Sequence, residues 1–188
     1  QGHYAAQVER LADTIDLAHS AVNYMPASDA RKRPEALGIG NVMKRGTLFT
    51  DAEWGGQPLT NTQKDIIAAH EAYHGVVNVV GGDRAVVLEG FDISDKNLQL
   101  ASEISAAKGR EMNARYVTEP DELLARMAQL KNYFGMNSAQ TFSPQHLAYA
   151  REHYVADTGL DNSMTEFFAL ISEQSADKFV ANMNKLPI

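Results

Sequence analysis

The stretch His70-Glu71-Ala72-Tyr73-His74 offers the residue types needed for hydrolysis at a metal ion. It fits the HExxH pattern, in which one helical turn presents two imidazoles to a metal and one carboxylate to a water. Residues i and i+4 share a helix face, so His70 and His74 can point at one ion. Glu71 adjoins the first ligand and leans toward the same place, close enough to polarise a water without ligating. With six histidines and twelve glutamates in 188 residues, chance would give this pattern in about one chain in a hundred. The chemistry to look for is therefore water activation by a metal with a carboxylate base.

A catalytic zinc ordinarily takes three protein ligands and keeps a fourth position open. His70 and His74 supply two. The chain has no cysteine, which removes disulfides and thiolate ligands and leaves His, Asp or Glu for the third. The extended pattern HExxHxxGxxH needs Gly at 77 and His at 80. Val77 and Val80 stand there and exclude it. Two downstream acids remain as the main candidates. Glu122 opens Glu122-Leu123-Leu124-Ala125-Arg126, and Glu103 sits within Ala101-Ser102-Glu103-Ile104-Ser105. Small neighbours beside each would let two helices approach closely. Glu111, Glu119, His146 and His153 are weaker choices. An acid in a first turn, as at Glu122, is also what the helix dipole favours by about 0.3–1 kcal/mol without any function.

The elements that must position these groups read as mostly helical. Val8, Leu11, Ile15, Ala18 and Val22 predict an amphipathic helix over about 4–24. Residues 26–40 read as loop, and 41–50 as the first strand. Thr62 and Asp65 resemble a capping box that starts a helix running to about Val80, ended by Gly81-Gly82. HEAYH then lies mid-helix, with Ile66, Ile67, Val76, Val77 and Val80 as its buried side. Residues 84–91 are the second predicted strand. Further helices are predicted over 96–116, weakened by Gly109, and from Glu119-Pro120 to Gly135. The last two run from Ser143-Pro144 to about Asp157 and from the Ser163-x-x-Glu166 box to about Met183. The reading is one α+β domain over 1–188: an N-terminal helix and loop (1–40), a metal-site core (41–134) and C-terminal helices (135–188).

A formal net charge of −7 and a pI near 5.3 argue against nucleic acid or an anionic membrane as the main partner. No apolar run approaches the ~20 residues needed to cross a bilayer. The sequence starts at Gln1 without an initiator Met, as a processed product or a piece of a longer protein would. An intracellular or virion-associated setting is expected ahead of secretion.

HEAYH followed by a Glu-x-x-Ala helix resembles the zincin metallopeptidases whose third ligand is a glutamate. The stretch Tyr116-Val117-Thr118-Glu119-Pro120-Asp121-Glu122-Leu123-Leu124-Ala125-Arg126 is similar to the second motif of zincins found in phage and mobile-element proteins. The two motifs cover well under a third of the chain. The Asn-Glu-x-x-Ser-Asp form of the thermolysin-like branch is missing, with only a faint echo at Ser102-Glu103-Ile104-Ser105. The resemblance implies a mostly helical zincin-like domain with a small β-sheet and an HExxH active-site helix. It also implies Zn2+ held by His70, His74 and Glu122, with Glu103 as second choice. The activity implied is peptide-bond hydrolysis with Glu71 as general base and a peptide or protein as substrate. An oxyanion donor is needed besides the metal, and Tyr149, Tyr116, His146, His153 and Arg126 are all open candidates. Many zincins lay substrate along an edge strand beside the HExxH helix, which here would be residues 41–50. The rival expectation is a virion or assembly component that keeps the fold, with metal structural or absent and no catalysis.

Overall fold

The computed structural model describes residues 23–25, 38–39, 47–49, 53–54, 57–63, 66–67, 69–70, 73–74, 84–136, 139–161 and 163–186. The chain divides into two compact units, Gln1–Gly82 and Asp83–Ile188.

In the first unit, short strands β1 (Asn23–Met25), β2 (Gly38–Ile39) and β3 (Thr47–Phe49) form a sheet in the order β1-β3-β2. β3 runs parallel to β1, with Asn23 opposite Thr47 and Met25 opposite Phe49, and antiparallel to β2. A second sheet is the antiparallel pair β4 (Glu53–Trp54) and β5 (Gln57–Pro58), with Trp54 opposite Gln57. Three expectations are corrected by this pairing. The helix predicted to reach residue 24 gives way to strand at Asn23, and the rest of that prediction lies outside the described residues. The predicted loop 26–40 contains a strand at Gly38–Ile39. The strand predicted within 41–50 does occur at Thr47–Phe49, but it is the central strand. Both its sides are paired with neighbours, so it is not the free edge expected to receive a substrate. Strand partners far along the chain decide these segments, and local periodicity carries no record of them.

After buried Leu59, residues 61–63, 66–67, 69–70 and 73–74 are helical. The entry is capped by Thr60, not by Thr62. Gln63 N–H donates to Thr60 Oγ1 at 3.1 Å and Thr60 N–H donates to Gln63 Oε1 at 3.0 Å. This reciprocal pair is a capping box in the Thr-x-x-Gln form. Thr62 is already helical and exposed, and Asp65 lies outside the described residues.

Among the described residues of the second unit the regular elements are all helices: α1 (Arg84–Leu88), α2 (Asp95–Ala107), α3 (Ala114–Val117), α4 (Pro120–Tyr133), α5 (Pro144–Thr158), α6 (Met164–Ala169) and α7 (Glu173–Met183). Its core gathers Phe91, Phe167 and Phe179 edge to face, with centroids 5.4–5.9 Å apart, around Leu123, Met127, Leu130 and Met183. The second predicted strand, 84–91, is a correction, since α1 is a helix. A short apolar run such as Val86-Val87-Leu88 fits either state, and here tertiary contact decides. Asn182 Nδ2 donates to Val86 O at 3.0 Å. A Cβ on Gly90 would stand 3.0 Å from Phe179 Cα, so α1 ends where only glycine lets α7 pass this close.

The helix predicted over 96–116 is also two elements. Gly109 adopts φ 72° and closes α2 with bonds from Gly109 N to Ala106 O and from Arg110 N to Ser105 O, the Schellman termination. Gly135 (φ 64°) ends α4 in the same manner, as expected. The last predicted helix is likewise split. Ser163 has φ 56° and makes no capping bond, while Ser172 and Ser175 form the capping box that starts α7. Glu166, expected as a cap acid, is wholly buried instead. It accepts from Ser105 Oγ at 3.1 Å and Lys108 Nζ at 2.7 Å, pinning α6 to α2.

Candidate metal centre

The Thr60–Gln63 cap sets the phase of the helical residues that follow. Gln63, Ile66, Ile67, His70 and Tyr73 are buried and His74 is half-buried. Their three- and four-residue steps make one inward stripe, which carries both histidines. Burial also raises the Tyr73 phenol well above its ordinary pKa, so it stays neutral. The two imidazoles meet edge to face with centroids 4.8 Å apart, and their Nε2 atoms stand 3.1 Å apart. Two nitrogens bound tetrahedrally to one zinc at ~2.0–2.1 Å would be separated by about 3.3 Å. The pair is thus pre-set at the spacing of two ligands on one ion. The same spacing suits an N–H···N bond when one ring carries the proton.

In the second unit, Glu122 stands in the first turn of α4 after Pro120 at the first helical position. α4 is buried on every side over its middle turns. Every residue from Glu122 to Asn132 is buried, including Arg126, Gln129 and Lys131. Glu122 Oε2 lies 3.7 Å from Arg126 Nη1, one turn on, and the Arg126 guanidinium carbon lies 5.8 Å from the centre of the Tyr116 ring. The Arg126 cation offsets the charge of this buried carboxylate.

In the first unit His70 and His74 present a nitrogen pair that could hold a metal ion, and in the second Glu122 is a buried carboxylate of the kind a third ligand needs. Glu71 lies outside the described residues. Glu103 is exposed on α2 and accepts from Gln99 Nε2 at 3.1 Å. Glu111 and Glu119 are exposed. His146 is occupied by a cap: its Nδ1 accepts from Ser143 N–H at 3.0 Å, and its ring stacks on Phe142. His153 and the half-exposed Tyr149 pack against each other on α5, with ring centroids 4.3 Å apart. Of the five candidate oxyanion donors, Arg126 forms an ion pair with Glu122 at 3.7 Å and lies over the Tyr116 ring. The element sequence reasoning missed is the Thr60–Gln63 cap, whose signal, Thr-x-x-Gln, stands in the sequence two residues before the box that was read.

No known family, curated protein or solved structure matches the chain.

Proposed function

We propose that this protein is a zinc-dependent peptidase of the zincin type, with His70, His74 and Glu122 as metal ligands and Glu71 as general base. The observation that carries the reading is the pair of imidazoles whose Nε2 atoms stand 3.1 Å apart, the spacing of two ligands on one ion. Two neutral imidazoles and one carboxylate, with no thiolate available, form a donor set suited to zinc. Bound zinc supplies a Lewis acid that acidifies water and polarises a carbonyl. The protein's own groups do the rest. Glu71 takes a proton from the attacking water and returns it to the leaving amine. Glu122, paired with Arg126 at 3.7 Å, completes the donor set. Tyr73 packs the histidine helix inward.

Metal content of the purified chain tests the centre: about one zinc per chain is expected, falling sharply in His70→Ala, His74→Ala and Glu122→Gln. A wild-type chain without stoichiometric zinc defeats the proposal. Glu71→Gln tests the chemistry, with hydrolysis of a peptide library expected to fall by ~10²–10⁴-fold while zinc stays bound. Zinc retained with no hydrolysis by the wild type would favour the structural alternative, in which the metal only stabilises an assembly component.

A further inference from the structure

Where α4 ends beside α5, an open hollow of about 590 Å³ is lined by Tyr133, Phe134, Gln145, His146, Tyr149 and Asp157. Four of these residues are aromatic, and their rings are steeply inclined rather than stacked. Phe134 meets Tyr133 at 69°, His146 at 78° and Tyr149 at 57°, with centroids 4.8–6.2 Å apart. Rings set this way act as walls. The fold holds them in place: Tyr133 packs on the fully buried Tyr154 at 4.9 Å, and Phe134 and His146 both pack on Phe142. The Tyr133 hydroxyl donates to Asp157 across the two helices. Burial and this bond push the phenol well above its ordinary pKa, so it stays a neutral donor. His146 Nδ1 accepts from Ser143 N–H at 3.0 Å, which a ring protonated there could not do. The formal charge of the hollow is therefore the single carboxylate of Asp157. The ion pairs of the described residues in this unit engage Glu89, Glu122, Glu152, Asp161 and Glu166, and none of them engages Asp157.

We infer that this hollow is a binding site for a small molecule carrying an alkylated ammonium group. Aromatic faces attract a cation within about 6 Å of the ring centroid, and quaternary ammonium groups are the ligands that such walls recognise best. The reason is hydration. A primary ammonium or a guanidinium gives up N–H bonds to water when it enters a hollow with few acceptors. A fully alkylated nitrogen has none to give up, and its methyl groups rest against the rings. Asp157, fixed by Tyr133, supplies the complementary charge and disfavours an anion. The volume is that of a small-ligand site. Every residue involved belongs to the second unit and none is a proposed metal ligand, so the inference is independent of the metal reading.

The probe is choline chloride, titrated at fixed ionic strength into the whole chain and followed by NMR shifts, with its uncharged carbon isostere, dimethylbutanol, in parallel. Choline should shift the resonances of Tyr133, Phe134, Tyr149 and Asp157 saturably, and the alcohol should bind at least about fivefold more weakly. Tyr149→Ala removes a wall whose residue is 48% exposed, so the fold should persist while choline binding weakens about two- to fivefold. Tyr149→Phe keeps the ring and should bind as wild type does. Asp157→Asn keeps an acceptor for Tyr133 and removes the charge, with a loss of up to about fivefold expected. No saturable choline binding by wild type, equal affinity for the alcohol, or affinity unchanged in both Tyr149→Ala and Asp157→Asn overturns the inference.

Discussion

α4 and α5 begin alike and end alike, yet they do opposite things. Each has Pro at its first helical position and a left-handed glycine just past its last turn, Gly135 and Gly159. α4 packs against α1, α3 and α6 and buries a glutamate, an arginine, a glutamine and a lysine among its leucines. α5 buries only Leu147, Ala150, Tyr154 and Thr158, and leaves Tyr149, Arg151 and Glu152 exposed. The polar groups of α5 have structural uses: Arg151 donates to Phe168 O at 2.9 Å and Ile171 O at 2.5 Å, tying down the end of α6. The two helices also share bonds, since Gln129 Nε2 donates to Tyr154 Oη at 2.6 Å and Tyr133 Oη donates to Asp157. A polar residue on a helix therefore says little by itself. Polar residues kept inside a surrounded helix are the ones to examine for chemistry, because each carries a desolvation penalty that packing alone would remove.

This contrast can be broken or sharpened in three ways. The largest effect belongs to Leu130→Ala on α4, which removes a fully buried side chain and should cost ~2–5 kcal/mol. Val155→Ala on α5, where the side chain is 37% exposed, should stay within ~0.5 kcal/mol. Equal midpoint shifts in urea for the two would refute the contrast. Next is the pair of N-caps. Ser143 Oγ accepts from His146 N–H, whereas the Glu119 side chain makes no capping bond. Ser143→Ala should cost ~1 kcal/mol, and Glu119→Ala much less, read by the same unfolding curves. The smallest effect is a slope in pH. Burial holds the Lys131 ammonium below its ordinary pKa. The folded chain then binds fewer protons than the unfolded chain between that lowered value and the unfolded one near ~10.4. Stability should rise with pH through that interval. Lys131→Met should abolish the rise, and a slope unaltered in the variant would assign it to another group.

Some elements were plain in the sequence because their signals are local. Glu119-Pro120 and Gly135 bound α4, and Ser143-Pro144 starts α5, through cap and φ requirements confined to a few residues. Where two local signals competed, the sequence misled. Thr62-x-x-Asp65 and Thr60-x-x-Gln63 overlap, and the second is the box seen among the described residues. Ser163-x-x-Glu166 has a box's composition, but Lys108 and Ser105 draw Glu166 into the core and leave Ser163 left-handed. Val86-Val87-Leu88 is helical because Asn182 and Phe179 meet it, a fact recorded some ninety residues away.

By itself, then, the sequence determined the donor chemistry: two histidines one turn apart, a glutamate between them, no cysteine, and valines where a third histidine would have been. These are matters of residue type and helical period, which need no fold. Residue type and spacing left Glu122 and Glu103 level, because both are acids on helices beside small residues, and only the family resemblance put Glu122 first. Tertiary packing set their different surroundings. Glu103 faces water and Gln99, while Glu122 lies within a surrounded helix against Arg126. Burial and ion pairing depend on which surfaces close over α4, and those surfaces come from segments distant along the chain.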